Sequence, residues 1–414
     1  MKIRLTAALW QVYNVYKLNK LLNKKGESPM LVNEMKLHLT QKILPFWEKL
    51  TDWELGGWYG YVDKDLNVYK NAHKGCILNS RVLWTFATAA RVLGEDKYLD
   101  YARHALRFME RFEDHARGGV YWSVNASGFP LDKTKHTYCQ AFAVYGLAAY
   151  YRATGEKKAL ERAMDLYRVI EDKCRDEGGY GEAFRYDFGP ESNEKLSENG
   201  VMASRTMNTL LHVLEAYVEL YRACGDDEVK KAAQDALSCF LNVMYNKDLR
   251  RLEVFYDADF NSIIDLQSYG HDVEASWLMW DAVEAVIAEE ERAPYREMCL
   301  DLLNSVLERA MTDEGFHNEC EKGVVDEKRV WWVQAEAVLG FENAWKLTGD
   351  TKYKENIEKV WQYIQKVTID KREGGEWYAY TTVEGKPLGK PMVDEWKCPY
   401  HNGRMCLRIA ERNL

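Results

Sequence analysis

Three histidines lie in apolar stretches that also carry acidic side chains. His212 is in MNTLLHVLEAY, His271 is in GHDVEASWL and His401 is in CPYHNGR, and Glu274 follows His271 by three residues. Histidine titrates near neutral pH, so two histidines together can remove a proton from a carbon and return one. Such a pair is suited to epimerisation at a carbon beside a carbonyl group.

Polar side chains recur in or near the first turn of six predicted helices. In chain order they are Asn79 and Arg81, Tyr138 and Gln140, Asn208 and His212, His271 and Glu274, Gln334 and Glu336, and His401 and Arg404. If the six helices run in one direction around a ring, all these groups gather at the same mouth. A polar ring over an apolar core is typical of a small-molecule site.

The six helices that carry these residues are apolar on nearly all faces, which predicts that they are buried. They alternate with amphipathic stretches such as those that begin at Tyr98, Ala159 and Tyr353. Short segments with a turn and β-like character lie between the two kinds of helix: Gly56–Val62, Gly118–Val124, Gly178–Phe184, Glu314–Cys320 and Gly374–Tyr380. The pattern predicts an all-α fold of six inner and six outer helices, an (α/α)6 barrel with short hairpins in its loops.

An open solenoid is the alternative arrangement of six helical hairpins. A solenoid would carry polar terminal caps, whereas the last inner stretch here is as apolar as the others, so a closed barrel is favoured. We expect one catalytic domain over residues 30–414, preceded by a basic N-terminal extension over residues 1–29 that is not part of the core. No stretch has the roughly 18 apolar residues of a membrane span.

Composition narrows the function further. The net charge of −9 and the pI near 5.7 argue against nucleic-acid binding. The chain has 14 Trp, 26 Tyr and 13 Phe, which suits a sugar-binding cleft as well as a large core. Its nine cysteines form no C-x-x-C pair, which indicates reduced thiols in a cytoplasmic protein. A monomer is the default expectation.

Other chemistries find little support in the motifs. His271 and Glu274 have a spacing that a metal site can use, but there is no HExxH and no second such pair, so we predict no metal and no cofactor. No Gly-rich phosphate loop and no serine nucleophile elbow is present. Most of the other histidines are interpreted as surface or loop positions: His38, His73, His104, His115, His136 and His317.

Six separated segments carry a resemblance to a known family. They are NSRVLW, YCQAFAVY, MNTLLHVLEAY, SYGHDVEASWL, WWVQAEAVLGF and WKCPYHNGR, and they occur in the family's order from about Leu31 to the C-terminus. In these segments the chain resembles cellobiose 2-epimerases, within the N-acylglucosamine 2-epimerase superfamily. The resemblance implies a cofactor-independent enzyme that converts the reducing-end glucose of a β-1,4-linked disaccharide to mannose through an enediolate.

The resemblance also implies roles for individual residues. His271 and His401 form the acid/base pair, and His212 assists ring opening or orients the open chain. Arg81 and Asn208 bind oxygens of the reacting sugar, Tyr138 contacts the substrate, Glu274 orients or tunes His271, and Glu336 completes the substrate-binding candidates. Trp396 stacks on the second sugar and Trp332 walls the site, although the motif leaves open whether Trp331 or Trp332 faces the sugar.

One departure and several alternatives stay open. Many family members read MNTHLH where this chain has Leu210, so His212 alone can play the family role on that helix. An N-acylglucosamine 2-epimerase or mannose isomerase would act on monosaccharides, but Trp396 favours a disaccharide, without choosing between cellobiose, lactose and mannobiose. A glycoside hydrolase using Glu274 and Glu336, or a non-catalytic carbohydrate-binding protein, are the rivals of another class.

Overall fold

The computed structural model describes residues 29–196 and 199–412. The predicted N-terminal extension, residues 1–29, lies outside the described residues except for Pro29. In the outer layer, α1 (Pro29–His38) continues through a π-helical segment (Leu39–Ile43) into α2 (Leu44–Lys49). The other outer helices are α4 (Lys97–Met109), α6 (Lys157–Val169), α8 (Asp227–Cys239), α10 (Ala293–Arg309) and α12 (Thr351–Tyr363). Inner helices are α3 (Cys76–Leu93), α5 (Thr137–Thr154), α7 (Met207–Cys224), α9 (Tyr269–Val286), α11 (Trp331–Thr348) and α13 (His401–Arg412).

Each inner helix is buried on nearly all faces, as its apolar sequence predicts. In α3 every residue from Cys76 to Ala90 is buried, including polar Asn79 and Arg81. Four inner helices end at a glycine in the left-handed region, among them Gly94 with φ 67°. A glycine takes this conformation without the steric cost that a Cβ would add, so it closes the helix and lets the chain turn outward.

The ring is closed. Each inner helix contacts the next, and α13 contacts α3 and α1, so the last repeat meets the first. The chain just before each inner helix pairs with the hairpin of the following repeat, as Lys74–Gly75 does with Ser123–Val124, and the bridge between Val62 and Val393 supplies the sixth pairing. The predicted (α/α)6 barrel is therefore confirmed, and the open solenoid is excluded.

Short strands form the predicted hairpins. They are β1 (Lys74–Gly75), β2 (Ser123–Val124), β3 (Pro130–Asp132), β4 (Lys135–His136), β5 (Arg175–Asp176), β6 (Gly179–Tyr180), β7 (Ala183–Phe184), β8 (Arg205–Thr206), β9 (Tyr245–Asn246), β10 (Arg251–Leu252), β11 (Phe255–Tyr256), β12 (Leu266–Ser268), β13 (Met311–Thr312), β14 (Gly315–Phe316), β15 (Glu319–Glu321), β16 (Val324–Asp326), β17 (Arg329–Val330) and β18 (Tyr380–Thr381). All pairings are antiparallel. These strands surround the N-terminal ends of the inner helices, which is where the sequence places the polar ring.

Buried ion pairs fix some of these hairpins to the barrel. The ammonium group of Lys74 lies 2.7 Å from Asp52, and that of Lys135 lies 2.8 Å from Asp114, with both lysines fully buried. Each ammonium also donates to a glycine carbonyl in the turn that follows its aspartate. A buried charge is costly unless it is paired and hydrogen-bonded, so these pairs allow one position for each turn and thereby shape the mouth.

Two further findings concern the composition. All nine cysteines are free, and six of them are buried, in line with the prediction of reduced thiols. Among the described residues, no helix combines the length and hydropathy that crossing a membrane requires. The prediction about the other histidines is wrong for His104 and His136, which are 8% and 0% exposed because they pack under the hairpins.

Candidate active site

A cavity of about 290 Å³ opens where the N-terminal ends of the inner helices meet. Nine of the ten predicted site residues line it: Arg81, Tyr138, Asn208, His212, His271, Glu274, Trp332, Trp396 and His401. The tenth, Glu336, is fully buried and lies behind His401. The cavity thus gathers side chains from all six inner helices or from the loops that lead into them.

Position along the helix decides which polar residues reach this cavity. In the first five inner helices, the lining comes from residues in the first three positions and from the sixth, as Asn208 and His212 show on α7. The fourth residue points to a hairpin instead. Gln140 exchanges two hydrogen bonds with the backbone of Val120, at 2.6 and 2.8 Å, and Gln334 does the same with Phe316, at 2.9 and 3.1 Å.

The prediction that every member of the polar ring reaches the mouth is therefore wrong for Asn79, Gln140 and Gln334, and also for Glu336 and Arg404, which are fully buried and do not line the cavity. Asn79 accepts a hydrogen bond from the backbone of Trp58 at 3.2 Å, so it too holds a hairpin. We call the fourth-position residues the hairpin clamps; they are Asn79, Gln140, Asp272 and Gln334. Each satisfies backbone groups that would otherwise be buried without a partner.

His401 is held by a carboxylate. Its Nδ1–H donates to Oε1 of Glu336 at 2.6 Å, and Oε1 of Glu274 is 3.9 Å from the same nitrogen. This bond fixes the tautomer, so Nε2, on the other edge of the ring, carries the lone pair that a base needs. Burial lowers the pKa of His401 well below 6.5, although the Glu274 charge acts in the opposite direction. The ring is therefore a neutral base at neutral pH.

His271 has a different partner. Its Nδ1 lies 2.7 Å from the hydroxyl of Ser268, which ends the strand before α9. A hydroxyl can donate or accept, so Ser268 allows either tautomer of the ring. Burial lowers the pKa of His271 to about 4, and the Glu274 charge offsets part of this effect. Of the two roles predicted for Glu274, orienting or tuning His271, the geometry favours tuning: Ser268 hydrogen-bonds to the ring, whereas Glu274 acts on its pKa through charge.

His212 is tethered within its own helix. Its Nδ1–H donates to Oε2 of Glu215 at 2.9 Å, one turn further along α7. The imidazole edge packs against the ring of Tyr138, with 5.1 Å between centroids. All three predicted histidines are therefore bound through Nδ1, which leaves Nε2 of each for a ligand in the shared cavity.

A buried guanidinium joins the carboxylates of three helices. Arg404 is fully buried and donates to Glu215 at 2.5 Å, to Glu274 at 2.5 Å and to Glu336 at 2.7 Å. Tyr400 also donates to Glu215 and accepts from Arg404. The carboxylates hold the pKa of Arg404 well above its usual value although burial opposes this, so the cation persists at all working pH values.

Glu215 and Tyr400 were not among the predicted site residues. The signal that could have identified Glu215 is its spacing of three residues from His212, the same spacing that links Glu274 to His271. Tyr400 directly precedes His401, and its ring lies 4.8 Å from the imidazole.

Trp332 separates the two candidate acid/base histidines. Its ring centroid lies 4.9 Å from that of His271 and 5.4 Å from that of His401. Trp331 meets His401 edge-on at 86° and is almost fully buried, while Trp332 is partly exposed to the cavity. Trp332 is therefore the tryptophan with the larger face toward a ligand, although both residues contribute to the wall.

Arg81 supplies a fixed positive charge on α3, the inner helix that contacts α13. It is 2% exposed, donates to the hydroxyl of Tyr138 at 2.9 Å and lies over the ring of Phe142 at 4.1 Å. Burial acts to lower the pKa of Arg81, but its neighbours, Tyr138 first among them, hold that pKa above the ordinary value. This cation can hydrogen-bond to an oxygen that gains negative charge in a reaction.

Comparisons with known proteins identify the family. The model of the family described as N-acylglucosamine 2-epimerase (GlcNAc 2-epimerase) matches residues 46–402. The chain belongs to this family. Within it, the chain is 47% identical over 395 residues to a cellobiose 2-epimerase of Eubacterium cellulosolvens, covering 91% of this chain and 97% of that one.

Two further relatives agree. A cellobiose 2-epimerase of Ruminococcus albus is 45% identical, with 93% of this chain and all of that chain covered. The solved structure of a cellobiose 2-epimerase from Bacillus thermoamylovorans B4167 superimposes with a TM-score of 0.89 at 45% identity, over 92% of this chain and 99% of that one. The resemblance seen in six sequence motifs is thus confirmed over the length of the barrel.

In this member of the N-acylglucosamine 2-epimerase family, loop residues extend the cavity beyond the inner helices. The polar side chains that line it there include Lys195, Asn199, Glu319, Lys390 and Asp394. No periodic pattern in the sequence marks these residues: Glu319 begins β15, Lys195 lies in a short 3₁₀ helix (Glu194–Leu196), and the other three lie on loops.

The acidic groups of this family member also bear on metal binding. Glu274, Glu336 and His401 each offer a ligand atom, and these atoms lie within 4.8 Å of one another. Arg404 already hydrogen-bonds to both carboxylates, so a cation there would have to displace a guanidinium that the cluster neutralises. The arrangement therefore favours a role for these acids in holding His401 and Arg404.

Proposed function

We propose that the protein is an epimerase that interconverts the reducing-end glucose and mannose residues of β-1,4-linked disaccharides, with cellobiose and lactose as substrates. One observation supports this most directly: His271 and His401 lie on two inner helices, each bound through Nδ1, and flank the same tryptophan at the cavity wall. Two bases that approach one carbon from different sides are what inversion of its configuration requires.

The proposed reaction begins with ring opening, assisted by His212, to give the free aldehyde. One histidine then takes the proton from C2 through Nε2, and the electron pair moves to O1, which forms an enediolate. Arg81 and its partner Tyr138 stabilise this oxygen by hydrogen bonding. After rotation about the C2–C3 bond, a histidine returns a proton to the other face of C2, so no oxidant, reductant or cofactor is consumed.

Glu336 acts in this proposal through His401 and does not touch the sugar. Its bond to Nδ1 stabilises the imidazolium that forms when Nε2 takes the C2 proton, in the way that a buried carboxylate supports a histidine base. Glu274, which lines the cavity, is close enough to both histidines to favour their protonated forms. The choice of forward base between His271 and His401 is left to experiment.

The second sugar unit of the substrate is assigned to Trp396. Its indole lines the cavity and lies 5.8 Å from the ring of Tyr138, measured between centroids. A second sugar stacked on this indole would lie between the reacting sugar and the loops. A monosaccharide epimerase or mannose isomerase would not need this platform. The disaccharide reading also agrees with the names of the relatives at 45–47% identity.

The test is incubation of the protein with cellobiose in D2O, followed by NMR of C2. We expect deuterium at C2 together with the appearance of glucosyl-mannose. His271→Ala and His401→Ala should each abolish the exchange, whereas His115→Ala, an exposed histidine outside the cavity, should leave it unchanged.

The other outcomes separate the rival functions. Release of glucose would indicate a glycoside hydrolase, and binding without exchange would indicate a carbohydrate-binding protein. Exchange with free mannose or N-acetylglucosamine but not with cellobiose would support the monosaccharide alternative. Absence of any exchange from folded protein would refute the epimerase proposal.

A further inference from the structure

The backbone of Trp396 is fixed, which leaves the direction of its indole to other residues. Its N–H donates to Oδ1 of Asp394 at 2.9 Å, and its carbonyl accepts from Arg81 at 3.4 Å. These bonds set the position of the Cα atom but do not fix rotation about the side-chain torsions. A stacking platform for a sugar needs its ring plane held as well.

A second tryptophan contacts the indole of Trp396 away from the cavity. The ring of Trp122 lies 5.7 Å from it at an angle of 62°, an edge-to-face contact that aromatic rings favour. Trp122 is only 4% exposed, and it is not one of the side chains that line the cavity. It can influence a ligand only through neighbours that line the cavity, which are Trp396 and Lys195.

Trp122 is itself held by a carboxylate from the segment that carries Trp396. Its Nε1–H donates to Oε2 of Glu395 at 3.3 Å, and Oε1 of Glu395 lies 2.8 Å from Nε2 of His73. A Cβ on Gly75 would come within 3.3 Å of the Glu395 side chain, so glycine at this position leaves room for it. Glu395 thus ties the loop before α3 to the loop before α13.

The remaining sides of Trp122 are also occupied. The ring of buried His136 lies 5.1 Å away, and the ammonium of Lys195 lies 5.5 Å from the Trp122 ring. Lys195 is paired with Asp132 at 2.9 Å. Because these contacts surround the indole, Trp122 has little freedom to turn and can act as a fixed wall for Trp396.

We propose that Trp122 and Glu395 are positioning residues that hold the Trp396 indole in the orientation needed for a second sugar unit. This inference rests on the proposed function, since it assigns selectivity for a disaccharide over a monosaccharide. Ordering a side chain during binding costs affinity, so a platform that is already ordered binds more tightly. The reacting sugar, bound at the inner helices, does not depend on this contact.

Two variants test the proposal. Trp122→Phe keeps an aromatic ring but loses the N–H that binds Glu395, and Glu395→Ala removes the acceptor. In each, KM for cellobiose should rise about 3- to 10-fold, the effect of ordering one side chain on binding, while kcat stays within about twofold of wild type. Glu395→Gln should restore KM, because the amide oxygen can still accept from the indole.

Controls distinguish positioning from general damage to the fold. Trp53→Phe changes an exposed tryptophan outside the site and should leave KM unaltered. The kcat/KM for mannose, measured on the same proteins, should not change in Trp122→Phe or Glu395→Ala. The double variant should be no worse than either single variant, since both remove the same contact.

A KM for cellobiose that stays at the wild-type value in both variants would overturn the proposal, as would an equal loss of kcat/KM with mannose. Cellobiose titration followed by tryptophan fluorescence gives a Kd without turnover. If the wild-type protein binds but does not epimerise cellobiose, the proposed function fails, whereas the change in Kd between wild type and variants still decides the role of Trp122 and Glu395.

Discussion

Glu336 and His401 are 65 residues apart in the chain, yet Oε1 of Glu336 and Nδ1 of His401 are 2.6 Å apart in the barrel. Glu336→Gln keeps the shape of the side chain but removes the charge that favours the imidazolium. We expect kcat to fall at least about 100-fold, the scale of general acid–base catalysis, with a smaller change in KM.

Steady-state kinetics on purified variants measures this effect. Glu342→Gln is the matched control, because Glu342 is a buried carboxylate on the same helix that pairs with Arg412 away from the cavity. If Glu336→Gln keeps near-normal kcat, His401 does not depend on this carboxylate and the proposed relay is wrong.

The pH dependence of activity should reflect the lowered pKa values of both histidines. His271 has a pKa of about 4, and that of His401 is also well below 6.5. Because a lowered pKa keeps the basic, neutral form at more acidic pH, the acid limb of kcat/KM should lie below pH 6.5. A kcat/KM profile in the free-enzyme regime that falls at pH 6.5 or higher would contradict neutral bases with these environments.

Loss of Arg404 should be costly to stability. Arg404→Met leaves the carboxylates of Glu215, Glu274 and Glu336 buried without their common cation. We expect the free energy of unfolding to fall by about 3–5 kcal/mol, as for other buried ion pairs that lose one partner. Urea unfolding measures it, and Arg404→Lys, which keeps a charge, should recover part of the loss.

The control for Arg404→Met is the same substitution at an arginine on the surface. Arg103→Met removes an exposed ion pair with Asp100 and should change stability by at most about 1 kcal/mol. Equal effects of Arg103→Met and Arg404→Met would mean that the buried cluster does not depend on its guanidinium.

The third inner helix lacks a hairpin clamp, which gives a stabilising substitution. Leu210 stands where Gln140 and Gln334 bind the backbone of their hairpins, and it lines a cavity of about 190 Å³ beside Tyr180. Leu210→Gln should bind the Tyr180 backbone in the same way and raise the free energy of unfolding by about 1 kcal/mol. Thermal or urea unfolding reads this out.

The converse substitution serves as the control for that prediction. Gln140→Leu should destabilise by about 1–3 kcal/mol, because it leaves the backbone groups of Val120 buried without their partner. A loss of stability in Leu210→Gln would show that the third hairpin is held by packing alone.

His136 should make the barrel sensitive to acid. Its pKa is lowered to about 3 by burial, and neither ring nitrogen has a hydrogen-bond partner among the described residues. Below pH 6.5 the unfolded chain binds a proton at this ring that the folded chain refuses, so stability falls as pH falls. At pH 5 the loss from this group is about 2 kcal/mol.

His136→Phe removes that group, so the difference in urea midpoint between pH 7.5 and pH 5 should shrink. His115→Phe, at an exposed histidine, should leave the difference as in wild type. An unchanged pH difference in His136→Phe would mean that His136 takes up a proton in the folded state.

The sequence predicts the barrel well because helix type depends on local composition. Stretches that are apolar all round, such as Cys76–Leu93, can only be stable inside, and their alternation with amphipathic helices determines the two layers. The start of the last inner helix is predicted less well: α13 begins at His401, although the apolar motif begins at Cys398. Closure through Val62 and Val393 also joins distant segments that no periodicity relates.

The sequence predicts which residues form the candidate site but not all of the hydrogen bonds between them. Family motifs select His212, His271 and His401, since each of these side chains lies within a short local pattern. The partners of His212 and His271 lie three residues away in the chain, but the partner of His401 comes from tertiary packing. Neither Glu336 behind His401 nor the shared role of Arg404 therefore follows from spacing. A polar residue near the start of an inner helix can have either of two roles: at position four it binds a hairpin backbone, and at position six it can line the cavity. Only the structure distinguishes these roles.

The helix that closes the ring, α13, has a consequence for the order in which the protein is made. His401 and Arg404 are synthesised after Glu215, Glu274 and Glu336, so a growing chain holds three acids that repel one another across an unfinished barrel. In the finished barrel Arg404 offsets this repulsion by pairing with all three acids, and its helix, α13, contacts α1 and α3. Completion of the ring and formation of the Glu336–His401 pair therefore depend on the same helix, and a chain that stops before α13 lacks both.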